Sequence, residues 1–228
     1  MLLSTPGSIA CRTAIPKMPT TDRTTTRERI LKSSRRLFNE KGYAATTLAE
    51  IAKSVGIAPG NLTYHFPTKG ELVTELQQRM EEEVRAQRAR HQQGSVIEDY
   101  VELLLFAMRH ASENRFLLRD QAQFADEPAI SAPDMAGDLE ALHSLLLRAQ
   151  AEGLFRRDMQ IDLRVVARSL WIMSRYWLDH LREFEGIDEV TWDDLERGVQ
   201  HHFAMLLPYL NKSARQELDE AMLRASTF

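Results

Sequence analysis

The sequence predicts an all-α protein, and three observations carry that prediction. Glycine and proline are scarce, 10 and 8 in 228 residues, whereas β-rich and doubly wound folds spend such residues on turns every ten or so positions. Apolar residues recur at three- and four-residue spacing over most of the chain, the period of a helix with one buried face. The only strand-like stretch is a few residues around Leu154 and Phe155.

Taken in order, residues 1–22 carry three prolines and no helical period, which predicts a disordered tail. A secretory signal is the competing reading, but no basic residue opens the chain and Ser4, Thr5, Pro6 and Gly7 interrupt its apolar stretch. Met18 is an alternative start that would leave Cys11 outside the native chain. A first helix is predicted over 24–41 from Ile30, Leu31, Ser34, Leu37 and Phe38, with Gly42 as a left-handed cap. Thr47 and Glu50 stand at capping-box spacing before Leu48, Ile51, Ala52 and Val55, a helix of two turns closed by Gly56. Pro59 opens a third helix, where a missing N–H costs nothing. Thr68 and Glu71 repeat the capping pattern ahead of a long charged helix reaching about Gln93. Further amphipathic helices are predicted over 95–114, 115–124, 134–152, 162–185 and 193–210, with a short one from Ser213. Breaks fall at Gly94, at Pro128 and Pro133, at Gly153 and at Gly186.

Charge is divided along the chain. Residues 17–70 hold ten Lys/Arg and four Asp/Glu, a formal +6, whereas residues 71–228 hold eighteen and twenty-nine, a formal −11. The whole-chain −4 hides a basic segment on an acidic body, the asymmetry expected of a nucleic-acid contact at one end. One cysteine excludes a disulfide framework and a multi-thiolate zinc site, and no apolar run approaches the roughly 20 residues that cross a bilayer. These features predict a cytoplasmic chain with no membrane partner.

Residues 47–66, TLAEIAKSVGIAPGNLTYHF, have the form of a helix-turn-helix, whose second helix enters a major groove by its N-terminal residues. Ala58, Pro59, Gly60 and Asn61 leave that tip without bulk, and Asn61 offers both a donor and an acceptor. Over residues 24–84 the chain resembles the TetR family of bacterial transcriptional regulators. The resemblance is carried by RERILKSSRRLFNEKGYAATTLAEIA, VGIAPGNLTYHF and PTKGELV, with Tyr-His-Phe before a Lys and an apolar pair as its most specific piece.

The resemblance implies a DNA-binding domain over 23–84 and a helical effector-binding and dimerisation domain over 85–228. It implies phosphate clamps at Thr47, Tyr64, His65 and Lys69, base-facing positions at Pro59, Gly60, Asn61 and Thr63, and a backbone or minor-groove contact from Arg27. Read singly, Tyr64 also admits a packing aromatic as the lesser alternative, Lys69 a solvated charge and Gly60 a steric necessity. The implied partners are a double-stranded DNA operator, a small-molecule effector and a second copy of the chain, with no cofactor.

The body offers a cavity lining of Phe106, Phe116, Phe124 and Trp171, with Arg109, His110, His143 and Arg175 as polar anchors. SLWIMSRYWLDHLREF is apolar around much of its circumference, as a core, a cavity wall or a dimer face would be. His201 and His202 invite a metal, but adjacent helical residues diverge by about 100°, so no metal site is expected. Two other classes compete with a regulator: a helical enzyme built on His143, His180 or the Asp193–Asp194 pair, and an interaction protein whose basic end meets an acidic partner or membrane surface. No nucleophile elbow, phosphate loop or metal-spaced His/Glu set supports the enzyme.

Overall fold

A computed structural model describes residues 25–90, 95–124 and 134–225. The tail, Cys11 and Met18 lie outside the described residues. Ten α-helices are present among those described: α1 (Thr26–Lys41), α2 (Leu48–Val55), α3 (Pro59–His65), α4 (Lys69–Arg90), α5 (Val96–Glu113), α6 (Arg115–Arg119), α7 (Met135–Ala151), α8 (Leu163–Phe184), α9 (Trp192–Leu206) and α10 (Lys212–Ala225). The fold is all-α, a helix-turn-helix head joined to a helical bundle.

Local chemistry fixes the head. α1 and α2 both start in complete capping boxes, Thr25 with Glu28 and Thr47 with Glu50, so backbone donors at each N-terminus are satisfied reciprocally. α2 ends at Gly56 in the left-handed conformation (φ 74°, ψ 37°), which an L side chain adopts only with strain. Gly42 differs from the expected left-handed cap. Its φ of 92° is positive but its ψ of 158° is extended, because the chain turns away at once toward α2 while the Gly42 N–H still bonds Phe38 O.

Two apolar cores result. The head core gathers Ile30, Leu31, Phe38, Ile51, Leu62, Phe66 and Leu72 from α1 to α4, and it also takes in Phe116, Leu117 and Phe124 from α6 and the following 3-10 turn. The body core is built from α5, α7, α8, α9 and α10. α8 and α9 approach closely at Gly198, where an added Cβ would stand 2.6 Å from Trp177 Nε1, and the same indole N–H donates to Asp194 O at 2.9 Å. The expected extended residues reduce to one antiparallel bridge, Phe155 with Leu210. The predicted helix over 193–210 stops at Leu206, and a 3-10 turn containing Pro208 carries the chain on to α10. No helix among the described residues is long and apolar enough to cross a membrane.

Head and body are tied by a polar latch at α6. Asn39 Oδ1 accepts the Phe116 N–H at 3.1 Å, and Asn39 Nδ2 donates to Glu113 O at 2.7 Å. Arg119 donates to Phe38 O at 2.7 Å and Asn39 O at 3.0 Å, supplying the carbonyls at the end of α1 with partners. Asp120 accepts the Tyr43 N–H at 2.8 Å. Burial opposes its charge, but Arg119 and Tyr43 outweigh that and hold its carboxyl below the usual range.

Candidate nucleic-acid interface

α3 displays most of the residues singled out in the sequence. Leu62 is fully buried and Phe66 nearly so, which turns Pro59, Gly60, Asn61, Thr63 and Tyr64 outward. Tyr64 is 83% exposed, so it is no packing aromatic; among the described residues its ring meets that of His65, edge-on at 5.4 Å. An added Cβ at Gly60 would meet nothing within 4 Å. The intramolecular steric reading of that glycine therefore fails, and what its small size provides is room on the outer side. Thr63 Oγ1 donates back to Gly60 O at 3.2 Å, which leaves the Asn61 amide as the fully outward polar group at the helix tip.

Three expected contacts are engaged within the protein. Lys69 turns inward, its ammonium donating to Tyr43 O at 2.8 Å and Thr46 O at 2.9 Å and lying 4.3 Å above the Tyr43 ring, and burial lowers its pKa. It thereby joins the start of α4 to the α1–α2 connection and keeps one of its three N–H donors. Arg27 lies over the Phe66 ring at 4.7 Å with Nη1 on Glu75 Oε1 at 2.7 Å, an attachment between α1 and α4 that raises its pKa through that hydrogen bond. Thr47 is exposed but its hydroxyl donates to Glu50 Oε2 at 3.0 Å. Glu50 also receives Lys41 at 2.9 Å, and that bond, followed by the Thr47 backbone N–H, lowers its carboxyl to about 2. Charge partners lay beyond the reach of motif reading, since Glu75 is 48 positions from Arg27.

The body holds a cavity of about 190 Å³ walled by α4 to α9. Phe106, His110, Trp171 and Arg175 line it, with Met80, Val84, Tyr100, Ser174 and His202. Phe116 and Phe124 do not: their rings pack with Phe38 and Tyr43 at 5.0–5.2 Å in the head core, because the α6 segment folds onto α1. Arg109 points from the exposed side of α5, and His143 stands by Glu140 at 3.9 Å rather than on the cavity wall. Sequence reading missed Tyr100 and Ser174, and considered His202 only for metal. His202 bonds Ser174 Oγ through Nδ1 at 2.9 Å, while its exposed neighbour His201 packs on Trp177.

α4 and α6 belong to both compartments. Leu72, Val73 and Leu76 sit in the head core while Met80 and Val84 wall the cavity; Phe116 and Leu117 sit in the head core while Leu118 walls the cavity. Such a fold, a compact helix-turn-helix on a hollow helical bundle, defines a class of DNA-binding protein with a sensing body. The family model described as "Bacterial regulatory proteins, tetR family" matches residues 30–76, and that described as "Bacterial transcriptional repressor" matches residues 75–218. The chain belongs to the TetR family.

Among curated relatives it is 26% identical over 161 residues to the HTH-type transcriptional repressor KstR2 of Mycolicibacterium smegmatis, covering 66% of this chain and 78% of that one. It is 43% identical over 51 residues to the HTH-type transcriptional regulator TtgR of Pseudomonas putida, 22% of this chain and 24% of that one. A TetR-family regulator from Marinobacter aquaeolei shares the fold at a TM-score of 0.70, with 24% identity over 86% of this chain and 98% of that one. TylP, a TetR regulator from Streptomyces fradiae, does so at 0.56, with 28% identity over 89% and 94%. The family comprises regulators rather than enzymes. Among the described residues no group of His, Cys, Asp or Glu is placed to hold a metal ion.

Proposed function

We propose that the protein is a dimeric repressor that reads a palindromic operator through α3 and is released from it by a small effector bound in the body cavity. The observation that carries the reading is the outward face of α3, where Gly60, Asn61, Thr63 and Tyr64 stand clear of the core on a segment of formal charge +6. Asn61 reads a base edge through its amide, while Tyr64 and His65 hold phosphates. Pro59 and Gly60 let the backbone approach the groove, and Thr63 flanks Asn61. Thr47 and Lys69 meet phosphate at the rim, Lys69 with its remaining N–H, and Arg27 holds the angle between α1 and α4.

Dimerisation falls to α8 and α9, which expose Val165, Ile172, Tyr176, Trp192 and Met205. Two heads on a palindrome must present α3 about 34–36 Å apart to reach successive major grooves. An effector that prefers the cavity shape belonging to another spacing lowers operator affinity by that preference. α4 and α6, with residues in both compartments, are the physical route for it.

The test is sequencing of DNA fragments selected by the purified protein from a random pool. A palindromic consensus supports the reading; uniform retention that vanishes at moderate salt overturns it and leaves only non-specific charge. Asn61→Ala should cost about 1–3 kcal/mol on the consensus and relax preference at one position per half-site. Tyr64→Phe should weaken binding to all sequences alike. Equal losses on every sequence from Asn61→Ala would remove its assigned role.

A further inference from the structure

The body cavity is lined by groups whose hydrogen bonding is incomplete. Tyr100 Oη, His110 Nε2, Arg175 Nε and His202 Nε2 are buried without a hydrogen-bond partner, and all four residues line the same cavity. Folded proteins leave few such atoms, because each forfeits the water it left behind. Four on one cavity lining offer a polar outline to a ligand, and their chemistry says what kind it would suit.

Arg175 is the decisive residue. Its side chain is 17% exposed, and its carboxylate partner, Asp179, stands 3.8 Å from Nη1, too far for a hydrogen bond. The Tyr176 ring centroid lies 5.1 Å from the guanidinium carbon. A guanidinium whose carboxylate neighbour stands beyond hydrogen-bond range can still take a charge-assisted bond from a second anion, and such a bond is roughly twice as strong as a neutral one. Preceding it on α8, Ser174 bonds His202, whose ring lies 5.6 Å from that of Tyr100. Burial keeps Tyr100 protonated and His202 neutral, so a hydroxyl donor and an uncharged imidazole stand together on one part of the lining.

The other end differs. His110 meets Glu83 Oε2 through Nδ1 at 3.3 Å and stacks on Phe106 at 4.9 Å, and burial lowers its pKa. The Glu83 carboxylate beside the ring disfavours an anion at this end. Tyr100 and His110 are ten residues apart on α5, about 15 Å along its axis, so the two ends are distinct. The two other charged lining residues, Arg88 and Asp138, satisfy each other at 2.6 Å. Between the ends, Met80, Val84, Leu104 and Trp171 present apolar surface. At about 190 Å³ the cavity falls below the roughly 300–1,000 Å³ of drug-sized sites, which calls for a compact ligand.

Resting on the reading of this cavity as the effector site, we propose that the effector is a compact apolar carboxylic acid. Its carboxylate sits against Arg175, and its hydrocarbon or aromatic body packs on the apolar lining of Met80, Val84, Leu104, Phe106 and Trp171.

The test uses the full chain and four molecules of one shape: 4-phenylbutanoate, its methyl ester, 4-phenylbutan-1-ol and 4-phenylbutylamine, titrated calorimetrically. The acid should bind at least tenfold more tightly than the ester and the alcohol, and the amine should not bind. Arg175→Gln should lower the acid's affinity at least tenfold and change the ester's less than threefold. The ester or alcohol equalling the acid overturns the anionic class, as does no binding by any of the four. The variant Ala111→Phe, which sets a ring on the half-buried α5 side of the cavity lining, should abolish binding of all. Undiminished binding in that variant instead overturns the cavity as the site, whichever member of the series is preferred. Circular dichroism of both variants, matching that of the parent, keeps the outcome separate from a folding defect.

Discussion

The two buried hydroxyls of the head and the lining of the body cavity differ in how their polar groups are met. In the head, Ser34 and Thr46 are fully buried and both are satisfied at close range, Ser34 by Ile30 O at 2.8 Å and Thr46 by Gly42 O at 2.8 Å. In the body, Tyr100, His110, Arg175 and His202 keep unanswered atoms around a void. A reading surface needs one geometry, whereas a sensing cavity needs a conformation that a ligand can improve. Full local satisfaction gives the first and deliberate incompleteness the second.

The largest expected effect tests which compartment owns α6. Phe116→Ala removes a fully buried ring from the head core and should cost about 3–5 kcal/mol in chemical denaturation. A loss below about 1 kcal/mol would return Phe116 to the role of cavity wall.

Acid should then separate the two regions. His202 in the folded body is pushed down to about 3 by burial, against an ordinary 6.5, so the unfolded chain binds the extra proton between those values. Its contribution is complete above pH 6.5 and is lost as pH falls toward 3, by up to about 1.4 kcal/mol per pH unit. Glu50 in the head, lowered to about 2 first by Lys41, contributes above its ordinary 4.5 and loses that only between 4.5 and about 2. Thermal melts at stepped pH should show the body weakening first, and His202→Leu should flatten the upper part of the profile. An unchanged profile in that variant would break the distinction.

The smallest effect is the sharpest comparison. Thr46→Val deletes a satisfied hydroxyl and should destabilise by about 1–2 kcal/mol, whereas Tyr100→Phe deletes an unsatisfied one and should be neutral or stabilise by up to about 1 kcal/mol. Equal losses from the two would show that Tyr100 is not a vacant donor.

Most of the helices were legible in the sequence because their ends are local chemistry. The Thr47–Glu50 box, the Thr68 hydroxyl on the Glu71 N–H, the stop at Gly56 and the Pro59 start are all settled within four residues. The outward α3 residues follow from the same periodicity once Leu62 and Phe66 are assigned to the core. What composition and spacing do not encode is partnership across the chain. Lys69 finds two carbonyls 23 and 26 positions away, and Arg119 reaches Phe38 over 81. Phe116 and Phe124 look like any apolar residues of the body until α6 is seen to fold onto α1. Tyr100 and Ser174 carry no local signal at all, since only packing of α5, α8 and α9 together makes them neighbours of one cavity.

The latch at α6 has a mechanical consequence. A head hung from α4 alone would be a pendulum, free to twist about that helix as well as to swing. Asn39, Arg119 and Asp120 fasten it at a second point, and a rigid body held at two points turns only about the line that joins them. Under the proposed mechanism, a displacement that begins in the cavity should therefore reach α3 as one rotation of fixed axis rather than as diffuse loosening. Its amplitude is set by how far α4 and α6 move relative to one another.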